Sequence, residues 1–521
     1  MPQTVLNDGS LNSRDPVQTT IQTVRRIIVF IVLLLVVGFG YPVFFFTTSI
    51  YRADLPVDEI NEFSQFLKQK IHYKIPVYLD IPSTIQYSTT EAQSHLNEAL
   101  SKAYPEFADF WTIDLIEGAK DIDPKEEYVV RFEYVPKTSE NESPQEAIEI
   151  SPHSKESKLF ITDAINKGTL VGHFLSSVLI DMIFKEELAD LSAVLAGKQS
   201  SADKNIVLPY SANYNLVFSL FVENGRSIDW QIDQSIRQFQ PILDKLSHFA
   251  NFSISTQVQY YSKLSKDLTF NESRGAYILQ ESDLATFINF GDWNLDTHDM
   301  NPSINFIIYF PESNYESKPW FIENIDSNAF LVKQWGGVYI FNKDRPVLND
   351  SKVSLVESEL NPIMETFASQ LFQLLGLPSF PKSPYMRIDS LSRITLLKNL
   401  KKSLDNLRSL VKLTESLDEI SIPELTKEHV LESLSFIKNA LIKLDVSQDY
   451  HAAMTLSAQA LKNSDRAFFE KEMVQQAYFP SEHRLAVFLP LLGPVGSILT
   501  IALLKLLMDL KSSRKSKKKT E

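Results

Sequence analysis

The spacing of apolar positions changes along the chain, and each change marks a different kind of element. Ile27 to Phe46 is an uncharged run of twenty residues, long enough as a helix to cross a hydrocarbon core about 30 Å thick. From Val57 to Lys70 the apolar residues Ile60, Phe63 and Leu67 step by three and four, which predicts a helix. Ile75, Val77 and Leu79 alternate as a short strand. Ser88-x-x-Glu91 forms a capping box opening a helix to about Ala103, with Leu96, Ala99 and Leu100 inward. Tyr128–Val135 reads as a strand, and the polar residues 137–157, with Pro144 and Pro152, read as an exposed loop. A helix near Leu170–Phe184 and strands near Tyr214–Val222, Phe252–Tyr261, Ser303–Phe310 and Gly337–Phe341 complete a pattern that predicts a mixed α/β domain over residues 47–350.

After about Ser351 the pattern turns helical. Leu355–Leu375 predicts a helix that stops at Gly376, ahead of Pro378. Leu397, Leu400, Leu404, Leu407 and Val411 step by three and four, as do Val430, Leu434, Ile437, Leu441 and Leu444, and a third helical stretch runs from about Asp449 to Gln476. Residues 351–484 therefore predict an antiparallel helical bundle segment. A second uncharged stretch follows, Leu485–Leu504, broken by Pro490, Gly493, Pro494 and Gly496. Proline in a membrane helix frees backbone groups that hydrocarbon cannot satisfy, so this span needs protein neighbours in the bilayer or a local kink. No repeat of solenoid period is present.

Charge orients the two spans. Arg25 and Arg26 precede the first, Asp54, Asp58 and Glu59 follow it, and a basic tail from Lys505 to Lys519 follows the second. By the positive-inside rule residues 1–26 and 505–521 are cytoplasmic, the transmembrane helices are 27–46 and 485–504, and the bulk lies across the membrane. The formal net charge is −14, with +1 in residues 1–46 and +5 in residues 485–521, which leaves −20 for the middle. A cleaved signal peptide competes for the first run, but this run ends in Phe44, Phe45 and Phe46 rather than at a small-residue cleavage site. The terminal Lys518-Lys519-Thr520-Glu521 fits the dilysine pattern for retrieval to the endoplasmic reticulum (ER), with a plain polybasic flank as the alternative. In a luminal domain, Asn141, Asn251, Asn271 and Asn349 become candidate N-glycosylation sites, the first weakened by Pro144.

Composition narrows the chemistry. The 521 residues are 44% hydrophobic, with 15 Gly and 25 Pro, which excludes disordered and collagen-like classes. The absence of Cys excludes a thiol nucleophile, a CxxC redox pair, a disulfide scaffold and a thiolate metal site. The acidic balance argues against a nucleic-acid partner. No H-E-x-x-H, G-x-S-x-G, Walker A or G-x-G-x-x-G motif occurs, and nothing calls for a cofactor. Asp296-Thr297-His298-Asp299 could offer two metal ligands but reads better as a solvated loop, and His173, in an apolar helix, reads as a core histidine. A luminal hydrolase with a triad dispersed in sequence stays open as an alternative, as does an ER membrane adaptor or chaperone for glycoproteins.

Aromatic and glycine positions carry more information. Tyr51 and Arg52 stand just beyond the first span as candidates for contact with a lipid phosphate or a partner carboxylate, or as a plain boundary cap. Trp335-Gly336-Gly337 sets a large ring before two glycines, a pattern of close backbone packing, with contact to a ligand or partner as the other reading.

Pro42…Thr47-Thr48…Tyr51-Arg52-Ala53…Leu55-Pro56, Trp335-Gly336-Gly337-Val338…Asn342 and Tyr478-Phe479-Pro480…Leu489-Pro490-Leu491…Pro494 together resemble the PIG-S family, subunits of the glycosylphosphatidylinositol (GPI) transamidase. The order of span, large luminal domain, span and basic tail is similar throughout. Relatives usually carry a Trp pair and a polar residue where this chain has Phe44, Phe45 and Phe46, and Phe lacks the indole N–H that anchors at headgroups. The resemblance implies a non-catalytic subunit in the ER membrane that supports GPI attachment to proproteins. It implies membrane lipids and other transamidase subunits as partners, including a caspase-like subunit whose Cys/His dyad does the chemistry.

Overall fold

The computed structural model describes residues 16–40, 50–107, 110–135, 148–198, 206–264, 268–280, 301–316, 318–324, 327–343, 353–417, 420–471 and 496–508, with isolated positions 42, 46, 282, 284, 473, 490, 493, 494 and 511. Two compact units are built from non-contiguous segments: residues 57–408 with 431–465, and residues 1–56 with 409–430 and 466–521.

The chain begins with α1 (Pro16–Leu35), extended by one π-helical turn, Val36–Gly40. Thr23–Gly40 is long and apolar enough to cross a membrane, and none of it is buried against protein. Ile27, Phe30 and Leu34 are exposed, as an apolar helix made for lipid requires.

The larger unit opens with α2 (Val57–Lys70), whose inward face is Ile60, Phe63 and Leu67 as the spacing predicts. A five-stranded sheet follows, from β1 (Tyr73–Asp80), α3 (Thr89–Ala103), β2 (Trp111–Glu117), β3 (Tyr128–Tyr134), β4 (Ile148–Ile150) and β5 (Glu156–Ile161). Its order is β2-β1-β3-β5-β4, parallel except for β4. Ser88 caps α3 by accepting the Glu91 N–H at 3.4 Å. Two helices then follow, α4 (Gly168–Val178) and α5 (Lys185–Leu195).

The polar stretch read as a loop is in part sheet. Ser157, Leu159 and Ile161 alternate inward on β5, and β4 pairs with it antiparallel. The period-two signal was diluted by Glu156 and Lys158, which face out near the edge of the sheet.

A second five-stranded sheet comes from β6 (Asn213–Val222), β7 (Ile228–Trp230), α6 (Ile232–Leu246), β8 (Asn251–Gln259), β9 (Phe270–Asn271), β10 (Ala276–Leu279), β11 (Ser303–Phe310), β12 (Trp320–Ile322), β13 (Ala329–Val332), β14 (Gly336–Ile340), β15 (Val353–Leu355) and α7 (Glu357–Leu375). Its order is β8-β6-β11-β14-β13, with β13 alone antiparallel, while β9, β10 and β12 form a small separate sheet and β7 pairs with β15. β6 and β11 are near-continuous apolar runs because both their faces are covered. Phe218 and Phe306 meet Phe239 of α6 and Phe367 of α7 on one face, and Ile307, Val338 and Ile340 join Trp320 and Trp335 on the other.

The two large sheets share one topology. In each, four parallel strands lie in the order second, first, third, last, and the strand just before the last turns antiparallel at the edge. In each, the helix after the first strand packs on the helix after the last. Gly172 of α4 lets α3 approach, since a Cβ there would lie 3.2 Å from the Ala92 Cα, and Ser235 of α6 donates to Asn361 of α7 at 3.0 Å. Residues 73–178 and 213–375 are thus topological duplicates with no detectable sequence period.

Three helices complete the described C-terminal half: α8 (Pro384–Ser416), α9 (Glu424–Ile442) and α10 (Tyr450–Phe468). Leu397, Leu400, Leu404, Leu407, Val430, Leu434, Ile437 and Leu444 are buried, as their spacing predicts. Ser433 donates to the Ala460 carbonyl at 2.9 Å and Asn399 to Ser457 at 3.4 Å, so small polar residues seat the helices closely. Of the second uncharged stretch, residues 485–489 lie outside the described residues, and a shorter apolar helix, α11 (Gly496–Met508), follows.

One buried network ties α8 to the first sheet. Arg393, 3% exposed, grips both oxygens of Glu187, 1% exposed, at 2.7 Å each. Glu187 also accepts from Ser390 at 2.6 Å and from the Trp111 indole at 3.1 Å, while Arg393 donates to the Tyr128 hydroxyl at 3.0 Å. Removing one charge strands the other in the core. Arg393→Met should lower the stability of the full-length protein in detergent by about 3–5 kcal/mol, and Arg393→Met with Glu187→Leu should recover at least half of that, as read by thermal or denaturant unfolding. A single variant as stable as the parent would contradict this.

Candidate functional site

Two constructions in the structure concentrate polar chemistry. The first is built on the residues that follow α1. Arg52 forms a parallel bridge with Ile422: Ala53 N–H donates to the Ile422 carbonyl at 2.9 Å, and Ile422 N–H donates to the Tyr51 carbonyl at 3.0 Å. The Arg52 guanidinium donates to the Thr414 carbonyl at 2.5 Å and the Leu417 carbonyl at 3.3 Å. Thr414 lies in the last turn of α8 and Leu417 just past it, where a cation meets the negative end of the helix dipole; the Leu417 carbonyl also accepts from Ile420 N–H at 3.2 Å. Tyr51 donates to Glu424 at 2.6 Å, and that hydrogen bond holds the Glu424 carboxyl below its ordinary range and raises the Tyr51 hydroxyl. Ala53 and Leu55 are buried beside this clamp while the Tyr51 ring stays exposed. The clamp fixes the chain where it leaves the apolar helix.

The second is a polar cavity of about 360 Å³ in the larger unit. Glu126 and Glu127 reach it from just before β3, Lys155 from just before β5, Asp389 and Arg393 from the start of α8, and Tyr450 and His451 from the first turn of α10. Lys155, nearly buried, pairs with Asp389 at 2.5 Å and donates to the Glu126 carbonyl at 2.7 Å. Burial pushes the Glu127 carboxyl up despite nearby Lys155, and burial with the stacked His248 ring, 3.8 Å away, pushes His451 down.

Within this arrangement Lys155 is paired with Asp389 and Arg393 with Glu187. The cavity's two serines do not face a base: Ser392 donates to the Ile388 carbonyl at 2.9 Å and Ser447 to the Lys443 carbonyl at 3.0 Å, both within their helices. The cavity also sits at the amino ends of β3 and β5, whereas ligand crevices of doubly wound sheets lie at the carboxyl ends. Among the described residues no three His, Asp or Glu side chains converge as metal ligands do.

The other candidates are scattered. Trp335 is buried in the core of the second sheet. A Cβ on Gly336 would overlap the Asn305 carbonyl, and one on Gly337 would overlap the Gln370 side chain, so the two glycines serve close packing. His173 is not a core residue. It lies on the exposed face of α4, its ring 4.1 Å from that of His95, because the apolar positions of α4 that turn inward are Val171, Leu175 and Val178. Asn251 is exposed at the start of β8 and donates to Asn213 at 3.2 Å. Asn271, also exposed, folds an Asx turn by accepting from Ser273 N–H at 3.1 Å. Asn141, Asn349, Lys518, Lys519 and the Asp296–Asp299 group lie outside the described residues. Sequence reasoning missed the cavity, whose residues come from five distant segments. It also missed the use of Arg52 on a helix end more than 360 positions away in the chain.

Because burial raises the Glu127 pKa, the folded protein holds this proton more tightly than the unfolded chain. The stability linked to it is present at pH below the ordinary carboxylate pKa and is lost as pH rises through the raised value. Glu127→Gln should therefore raise the melting temperature near neutral pH, and the difference should shrink toward zero near about pH 4, in thermal melts across that range.

A family model described as phosphatidylinositol-glycan biosynthesis class S protein matches residues 31–513. The chain is 29% identical over 512 residues to the GPI transamidase component GPI17 of Saccharomyces cerevisiae, covering 92% of this chain and 91% of that protein. It is 27% identical over 378 residues to the GPI-anchor transamidase component PIGS of Homo sapiens, covering 68% of each. To the GPI transamidase component PIG-S homolog of Schizosaccharomyces pombe it is 26% identical over 334 residues, 61% of this chain and 57% of that one. The match runs from inside the apolar N-terminal helix, through the Tyr51–Arg52 clamp and both sheets, to the basic tail, and the chain belongs to the PIG-S family.

Proposed function

We propose that this chain is a non-catalytic, structural subunit of a GPI transamidase complex in the ER membrane. One observation carries the reading: relatives named as GPI transamidase components match it across most of its length, the yeast protein over 92% of the chain. The chemistry agrees from its own side. Without Cys, the chain has no thiol to form a thioester, and neither cavity serine is aligned with a base. Its contribution is shape: it holds a cysteine-protease-like subunit and other membrane subunits in position around a proprotein and a GPI lipid. In this proposal α1 and the apolar segment ending in α11 both span the bilayer, with the termini cytoplasmic and the bulk luminal. The Tyr51–Arg52 clamp orders the chain that follows α1, and lipid headgroups or a partner's polar groups meet the exposed Tyr51 ring. The exposed Asn251 and Asn271 are the described residues available to carry sugar.

Depleting the protein should lower surface display of GPI-linked proteins and leave uncleaved precursors, as read by flow cytometry and immunoblotting. Normal anchoring in depleted cells would overturn the proposal. A tagged chain purified in mild detergent should bring down a constant set of membrane partners, whereas varied glycoprotein clients would favour a chaperone. Changing Lys518 and Lys519 to Ser should shift the unassembled protein toward the Golgi by immunofluorescence if the dilysine acts in retrieval; unchanged location would assign retention to assembly.

A further inference from the structure

The duplicated topology lets one half of the larger unit serve as a control for the other. In the first sheet the outer side of β2 is partly covered from within. The Gln93 side chain of α3 donates to the Ile113 carbonyl at 2.8 Å and accepts from Leu115 N–H at 2.9 Å, which satisfies two outward backbone groups at the middle of that strand. The topologically equivalent strand of the second sheet is β8, paired among the described residues only with β6. Asn251 N–H donates to the Ala212 carbonyl at 2.9 Å, which sets the phase of the parallel ladder. Phe252, Ile254, Thr256 and Val258 therefore turn N–H and C=O away from β6. Among the described residues no hydrogen bond from another element reaches these groups.

Native edge strands are normally short or guarded by Lys, Pro or a bulge. The antiparallel edges β4 and β13 are three and four residues long. β8 has nine residues, Asn-Phe-Ser-Ile-Ser-Thr-Gln-Val-Gln, with neither a charge nor a proline. It spans roughly 30 Å at about 3.3 Å per residue. Exposed Val258, Tyr260 and Tyr261 extend an apolar rim from its carboxyl end.

We propose that the outer edge of β8 is a β-augmentation site, at which an extended, uncharged segment of a companion subunit adds a strand to the second sheet. The occupant follows from size and charge. A strand pair of this length buries less than the roughly 1,200 Å² needed for a stable free-standing complex, so it cannot by itself hold a second copy of this chain. A segment tethered to a subunit already in the assembly docks at high effective concentration. The uncharged edge selects through backbone hydrogen bonds and neutral side chains. The proposal rests on the subunit reading above, and the experiment separates the two.

The full-length tagged chain is purified from cells in mild detergent, alone and with its companions. Hydrogen exchange should show the amides of Phe252, Ile254, Thr256 and Val258 protected with companions bound and open in the isolated chain. Thr256→Pro removes an outward donor without touching the ladder to β6, and Thr256→Lys with Val258→Lys places charge on the edge. Each should leave the melting temperature of the isolated chain near the parent's while lowering recovery of one companion by about tenfold. If Thr256→Pro does not fold, the lysine pair and the exchange data on the parent still decide. Full recovery of companions with unprotected amides overturns the β8 site and leaves the subunit reading standing. A parent that recovers no companions overturns both. Co-purification of tagged and untagged copies through a protected β8 assigns the edge to self-association and overturns the proposal.

Discussion

The architecture of the larger unit depends on the Arg393–Glu187 pair. Desolvating two opposite charges is unfavourable unless each finds its partner in good geometry, and here a bidentate grip is supplemented by Ser390, Trp111 and Tyr128. The participants come from β2, β3, α5 and α8, so the network holds only if all four arrive together. It fixes the register of a long amphipathic helix whose leucine face alone would tolerate sliding. The polar cavity lies beside this network; its Lys155 pairs with Asp389 and its two serines donate to helix carbonyls.

The two large sheets share a topology but differ at their edges and in their packing. Both sheets wind the same way, which keeps each core self-contained, yet their equivalent edges differ. Gln93 covers the middle of β2, while among the described residues no side chain does so at β8. Their buried faces differ too. The second sheet uses phenylalanines stacked across β6, β11 and α7, with two glycines in β14 giving room for Asn305 and Gln370.

In the smaller unit the equivalent economy lies in the chain that leaves the apolar helix. A tyrosine, an arginine and two backbone hydrogen bonds bind residues 51–53 to the turn before α9. Using the Arg52 guanidinium on helix-end carbonyls orders a segment that would otherwise be a free linker. Residues 51–53 are thus a fixed element of this unit.

Local patterns were enough to find α2, β1, α3, β3, β6, β11 and the three long helices, because periods of 2 and 3.6 repeated over eight or more residues exceed the noise of individual side chains. The apolar span, the exclusion of thiol chemistry and the acidic middle were likewise properties of composition and order alone. What went unread were the strands β2, β4 and β5, the helices α5 and α6, the latter with Pro241 inside it, and the placement of His173, whose helix is apolar on one face only. Tertiary structure alone decided that the two sheets share a topology, that Glu187 and Arg393 meet across 206 positions, and that Gln93 covers part of one sheet edge while no described residue covers its counterpart. Those outcomes depend on which distant segments become neighbours, and pairing between distant segments is set by the packing of whole faces, which no single window of the sequence contains.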